Sequence, residues 1–223
     1  MKKSYLTEYR IAQTVIITVI FVIIIELLAY FALFKNIPGF LDNYGLYIIY
    51  LDAVVVITLI TLWHLSLYRD TVTHMTGMMI GMTVGMISAF SIGAIVGATN
   101  GMFVGSVVGV LIGMIIGAYG GKCCGVMGTM EGLMAGLMAG TMGPMISVMM
   151  LSDNLQLFMP LLIGSSLLIM GGLTYMMYMD EMLQKLPQKY ASTDYMSFVT
   201  VCFALTLAIT LIIVYGPRSL LFA

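Results

Sequence analysis

The chain has 223 residues, 61% of them hydrophobic and 9% charged, with a formal net charge of −1. A soluble domain carries roughly 25% charged residues, so no soluble fold of this length could bury so much apolar surface. The absence of a basic patch excludes a nucleic-acid partner. The three cysteines, Cys123, Cys124 and Cys202, make no disulfide framework and fit reduced thiols.

The expected fold class is an all-α integral membrane protein, a single polytopic domain over residues 1–223 with the lipid bilayer as its solvent. No cleavable signal peptide is expected, because Lys2 and Lys3 are followed by polar Ser4, Thr7, Glu8 and Arg10. The apolar run after them is also too long for a signal sequence. A membrane-crossing helix needs roughly 20 mostly apolar residues. In chain order that rule gives seven spans, at residues 11–34, 44–67, 75–98, 101–119, 124–150, 155–179 and 195–215. The breaks are short: 35–43 with Pro38-Gly39, then Arg69-Asp70, Thr99-Asn100, 120–122 and 152–154. One long polar loop covers 180–194.

Spans one and two each carry an acid, Glu26 and Asp52. Each lies eight residues from the outer end of its span, so both sit roughly 12 Å deep on consecutive antiparallel helices. Intramembrane acids are costly and mark proton or cation routes, and two brought close would share a proton or hold a cation. The bland role of each is a protonated side chain bonded to a neighbouring helix. His64 follows Trp63 near the inner end of span two, where both read as interfacial anchors. Tyr44, Tyr47, Tyr50, Tyr68, Tyr175, Tyr178 and Tyr215 read the same way.

From span three onward glycine recurs at every fourth residue: Gly77, Gly81, Gly85, then Ala89, then Gly93, Gly97, Gly101, Gly105, Gly109, Gly113, Gly117, Gly121 and Gly125. A second register holds Gly128, Gly132, Gly136 and Gly140. In water each glycine costs a helix about 1 kcal/mol against alanine. In lipid the same residue lets two helix backbones approach closely. Four residues are 400° of helix, so the stripe drifts about 40° per step and favours right-handed crossings. Spans three, four and five are therefore expected to form a glycine-zipper inner bundle, with the other spans around it. Homo-oligomers or a pore built on the same stripe are the alternative.

The 23 methionines cluster in spans three, five and six. Met78, Met82 and Met86, and likewise Met130, Met134, Met138 and Met142, stack at four-residue spacing on one face of a helix. Thioethers and thiolates are soft ligands that suit Cu(I). The expected topology places His74, Met75, Met78, Met79, Cys123, Cys124, Met127, Met176, Met177 and Met179 near the inner face, with Met82, Met86, Met130 and Met134 as further candidate ligands. Glu131 lies among the span-five methionines and could neutralise a bound cation. Methionine is also a flexible apolar filler beside glycine. In span three the methionines follow each glycine by one residue, and in span five by two, which points the latter away from the zipper. The pairing of M-x-x-x-M with G-x-x-x-G is similar to that in the membrane helices of Ctr-type copper transporters. The likeness covers those two short motifs; the span count differs and no Met-rich outer tail is present. It implies Cu(I) as the cargo.

No H-E-x-x-H, P-loop or G-x-S-x-G elbow occurs, and there are two histidines, so no catalytic residues are expected. Three functions fit these readings: transport or handling of a soft metal ion such as Cu(I), a non-catalytic zipper protein that forms oligomers, or a proton-coupled carrier of a small solute using Glu26 and Asp52.

Orientation follows the positive-inside rule. With a cytoplasmic N-terminus the inner side holds Lys2, Lys3, Arg10, Arg69, Lys122, Lys185 and Lys189, against Lys35 and Arg218 outside. The expected location is the cell (inner) membrane, with the C-terminus outside. Reporter fusions at Ala223 and at Gln188 should therefore give opposite signals; equal signals at the two sites would mean a miscounted span.

Overall fold

The computed structural model describes residues 24, 40–68, 74–184 and 195–217. The first expected span, with Glu26, lies outside the described residues apart from Ile24. Among the described residues the fold is helical throughout: α1 Phe40–Tyr68, α2 His74–Asn100, α3 Met102–Gly121, α4 Gly125–Met149, α5 Leu155–Gln184 and α6 Tyr195–Tyr215. Short 3-10 turns, Lys122–Cys124 and Met150–Ser152, precede and follow α4. Four helical stretches are long and apolar enough to cross a membrane: Gly45–Leu65, His74–Asn100, Met102–Ser152 and Leu155–Met177. The third of these contains both α3 and α4. Helix α5 runs on to Gln184, into residues expected to be loop, because no helix-breaking residue intervenes before Pro187.

Helices α2, α3 and α4 meet along a line of glycines. Gly81, Gly85, Ala89, Gly93 and Gly97 of α2 face Gly121, Gly117, Gly113, Gly109 and Gly105 of α3. Each pair is equidistant from Gly101, so the four-residue period continues through the turn and small residue meets small residue at every level. That turn is a single residue, possible because Gly101 takes a φ of 102°, which other residues rarely adopt. The return from α3 to α4 pivots on Cys124 and Gly125, and Gly125 has φ 73°. This pivot explains the second register. Gly128, Gly132, Gly136 and Gly140 of α4 fall opposite Gly121, Gly117, Gly113 and Gly109.

Each level thus holds one small residue from each helix. A methyl group added to Gly85 would lie 2.7 Å from Gly117 Cα and 3.2 Å from the Gly132 carbonyl oxygen. One on Gly109 would lie 2.9 Å from the Gly140 oxygen and 3.0 Å from Gly93 Cα. Backbone touches backbone, and no route for an ion passes along this axis. The stripe is consumed within one chain rather than left to pair with a second copy. At the level nearest the Gly101 turn Pro144 takes the α4 position, and its Cα would be 2.7 Å from a methyl on Gly97. Proline has no N–H, so the Gly140 carbonyl loses its usual helical donor. The points that a methyl on Gly93 or Gly109 would occupy lie 3.3 Å and 2.9 Å from that oxygen, so both backbones close over it.

The remaining described helices do not surround this trio. Helix α1 packs on α2, α5 and α6. Leu51, Val55, Ile92, Ile95, Met159, Ile209 and Ile213 form their shared core. Among the described residues the back faces of the trio are covered unevenly, and span one of the expected ring lies outside them. On α2 Ser91 and Ile95, opposite the glycines, are buried, whereas Met79 on the same face near the start of the helix is 59% exposed. On α3 the equivalent Phe103, Val107, Leu111, Ile115 and Tyr119 are exposed, and on α4 so are Met130, Met134, Met138 and Met142.

A comparison of two glycines checks the backbone contact. Gly136→Ala should lower thermal stability in detergent, because its new methyl would meet Met114 N at 2.5 Å. Gly164→Ala should be neutral or stabilising by up to ~1 kcal/mol, since nothing lies within 4 Å of that position and alanine is the better helix former. Equal melting temperatures for the two variants would contradict the packing.

Candidate functional site

The turn that reverses α3 into α4 is also where two thiols meet. Lys122–Cys124 winds as a short 3-10 turn between the two helices. Cys123 Sγ lies 3.6 Å from Cys124 Sγ and donates to the Gly120 carbonyl oxygen at 3.4 Å. All three cysteines are free thiols, with Cys123 half-buried and Cys124 buried. Lys122 is exposed beside them. Glu131, two turns along α4, is close enough to Cys124 to interact electrostatically with it.

The glycine levels fix the depth of the other expected ligands. Counting three residues inward from the Gly81/Gly121/Gly128 level places Met78 level with Cys124 and Gly125. His74 and Met75 lie one turn beyond and are exposed. Met82, Met86, Met127, Met130 and Met134 are exposed on the outward faces of α2 and α4, while Met78 and Glu131 are half-buried. The structure therefore brings Cys123 and Cys124 together and sets the thioethers around that end of the bundle, facing away from its axis. Among the described residues no three His, Cys, Asp or Glu side chains are grouped to hold a metal ion. Met159, Met170 and Met177 of α5 are buried in apolar clusters and act as filler.

His64 is 7% exposed, in the last turn of the Gly45–Leu65 span, beside Leu62 and Leu65, which pack with Met177 and Ile80. Tyr47 and Tyr50 pack on the core, whereas Tyr175 and Tyr215 are exposed as anchors would be. Asp52 is 3% exposed, deep between helices. Its expected partner Glu26 lies outside the described residues.

Sequence reasoning missed several buried polar groups. Asn100 is 1% exposed and its Nδ2 donates to the Ile212 carbonyl oxygen at 3.1 Å, tying the C-terminal end of α2 to α6. Thr99 Oγ1 donates to Asn100 Oδ1 at 2.9 Å. The Thr99-Asn100 pair was visible in the sequence as a break, but not its partner 112 residues away. Ser91 and Thr206 carried no signal, because isolated hydroxyls in an apolar span read as tolerated polarity.

Comparison with protein-family models, curated proteins and solved structures finds no match.

Thiol accessibility gives a direct check of the turn. A maleimide added to the reduced protein in detergent should modify Cys123 first and Cys202, which is 0% exposed, last. Faster modification of Cys202 than of Cys123 would contradict the described packing.

Proposed function

We propose that the chain is a seven-span inner-membrane protein, N-terminus cytoplasmic and C-terminus outside, built on a glycine-zipper bundle of α2, α3 and α4. Its function is to bind and hand on a soft metal ion, Cu(I) first, at the inner end of that bundle. It is not an enzyme. The observation that carries this reading is the pair of thiols 3.6 Å apart at the Cys123–Cys124 turn. Metal–thiolate bonds of about 2.3 Å at trigonal or tetrahedral angles hold two sulfurs about 3.8–4.0 Å apart, close to this spacing. A linear arrangement would need about 4.6 Å. The pair therefore suits a metal that takes one further ligand or two, and methionine thioethers at the same depth, Met78 first, supply the soft type. Oxygen-seeking Mg²⁺ and Ca²⁺ gain little from such donors. Because the glycine axis is closed, the ion's path runs along the methionine-bearing outward faces of α2 and α4.

A second reading rests on those same faces. The exposed apolar stripes of α3 and α4 suit a non-catalytic scaffold protein that associates with a second copy of itself or with a partner complex.

Cu(I) titration under reducing conditions separates the two. Cys123→Ser with Cys124→Ser should weaken binding more than any two Met→Leu changes, since a thiolate brings charge and a thioether does not. A Met78, Met82 and Met86→Leu triple should slow copper transit with little loss of stability, because leucine nearly matches methionine in volume. Copper handling like wild type in both variants would assign the sulfurs to packing and favour the scaffold.

A further inference from the structure

A second, chemically different site follows from the register of α1, α2 and α6, far from the cysteine turn. Leu62 Cδ2 lies 3.7 Å from a methyl position on Gly120, and Gly81 Cα lies 3.3 Å from the same point, so Leu62 and Gly81 share a depth. Helices α1 and α2 are antiparallel. Ten residues along each, about 15 Å, bring Asp52 level with Ser91. Helix α6 runs antiparallel to α1, and Cys202 packs on Val56 and Ile60. One turn further along both helices places Asp52 opposite Thr206, on the faces that already meet: 52, 56 and 60 of α1, and 202 and 206 of α6. The Asn100–Ile212 bond gives the same level for α2 and α6 to within one turn.

Asp52, Ser91 and Thr206 are 3%, 0% and 0% exposed, so one polar layer crosses the middle of an apolar core. The hydroxyls differ in a telling way. The buried Thr58, Thr61, Ser88, Thr99, Ser147, Thr206 and Thr210 each donate to a carbonyl three or four residues back in their own helix. That local bond is the ordinary way to bury a hydroxyl in a helix. Ser91 Oγ does not make it and has no hydrogen-bond partner. Burying such a group without a bond costs about 1–3 kcal/mol. Ser91 also lies opposite the glycine stripe of α2, on the side facing the other helices rather than the closed axis. Thr206 Oγ1 donates to the Phe203 carbonyl at 3.0 Å and keeps its lone pairs for a further interaction.

We propose that Asp52, Ser91 and Thr206 form an intramembrane site for a small hard monovalent cation, Na⁺. Carboxylate and hydroxyl oxygens are hard donors, the opposite of the thiols at the turn. A carboxylate supplies the negative charge that a monovalent cation needs to be held in lipid. The site is independent of the metal reading above, and it is tested without copper.

The experiment measures melting temperature and ²²Na⁺ binding for the full chain in detergent, with Na⁺ replaced by choline at constant ionic strength. A ligand that binds only the folded state raises stability by mass action. Wild type should therefore melt several degrees higher in NaCl than in choline chloride and should bind about one ²²Na⁺ per chain. Asp52→Asn and Ser91→Ala should each remove the sodium-dependent part of the shift and reduce ²²Na⁺ binding at least tenfold. Should Asp52→Asn fail to fold, Ser91→Ala and the wild-type titration still decide the matter. A wild-type protein indifferent to Na⁺, or one that responds to protons alone, overturns the proposal. So does a sodium response that survives in Ser91→Ala.

Discussion

The rest of the structure depends on direct contact between three helix backbones, with little more than the Ala89 methyl and the Pro144 ring between them. In water this arrangement would be a poor choice, because glycine weakens a helix and hides no apolar surface. In a bilayer the balance shifts. Backbone polar groups must be bonded within the helix whatever the sequence, so the helix persists even when glycine-rich. What remains to hold helices together is close packing, dispersion and weak Cα–H···O bonds, and all of these improve as the axes approach. Five levels of one small residue per helix, from Gly81/Gly121/Gly128 to Gly97/Gly105/Pro144, bring that approach to its limit. The two left-handed glycines, Gly101 and Gly125, keep the levels aligned through both reversals.

A closed axis confines chemistry to the ends and flanks of the trio. Its end at the α3–α4 turn carries the paired thiols of Cys123 and Cys124. Its flank, where α2 meets α1 and α6, carries the buried hydroxyls and the Asp52 carboxylate. The outward methionines of α4 and the branched and aromatic residues of α3 complete the division. The thiols of the turn and the buried oxygens of the flank are thus held apart along the length of the trio.

Much of the architecture is legible from the order of residues. The length of apolar runs marks helices α1 to α6, and the four-residue glycine period marks the three that pack most closely. Even the facing partners follow from the turns, since equal counts on either side of Gly101 pair Gly97 with Gly105 and Gly81 with Gly121. What periodicity cannot supply is the direction of a helix's second face. Met130 and Ser91 each stand opposite a glycine stripe, yet one is exposed and the other buried, because α1, α5 and α6 gather on the Ser91 side of α2 and leave the Met130 face of α4 uncovered among the described residues. The layer of Asp52, Ser91 and Thr206 needs three interhelical registers at once. Those registers rest on side-chain fit, such as Cys202 between Val56 and Ile60, which leaves no periodic trace.

The measurement that bears most directly on the backbone-contact account is a reciprocal exchange at its one alanine level. A methyl added to Gly113 falls on Ala89 Cβ, so Gly113→Ala alone forces two methyl groups into one space. Removing the opposing methyl should relieve the conflict. Thermal unfolding in detergent should show Gly113→Ala well below wild type, and the Ala89→Gly, Gly113→Ala double variant recovering most of the loss, a coupling that only touching residues display. A double variant no more stable than Gly113→Ala alone would mean that Ala89 and Gly113 do not face each other, and would contradict the packing of α2 on α3.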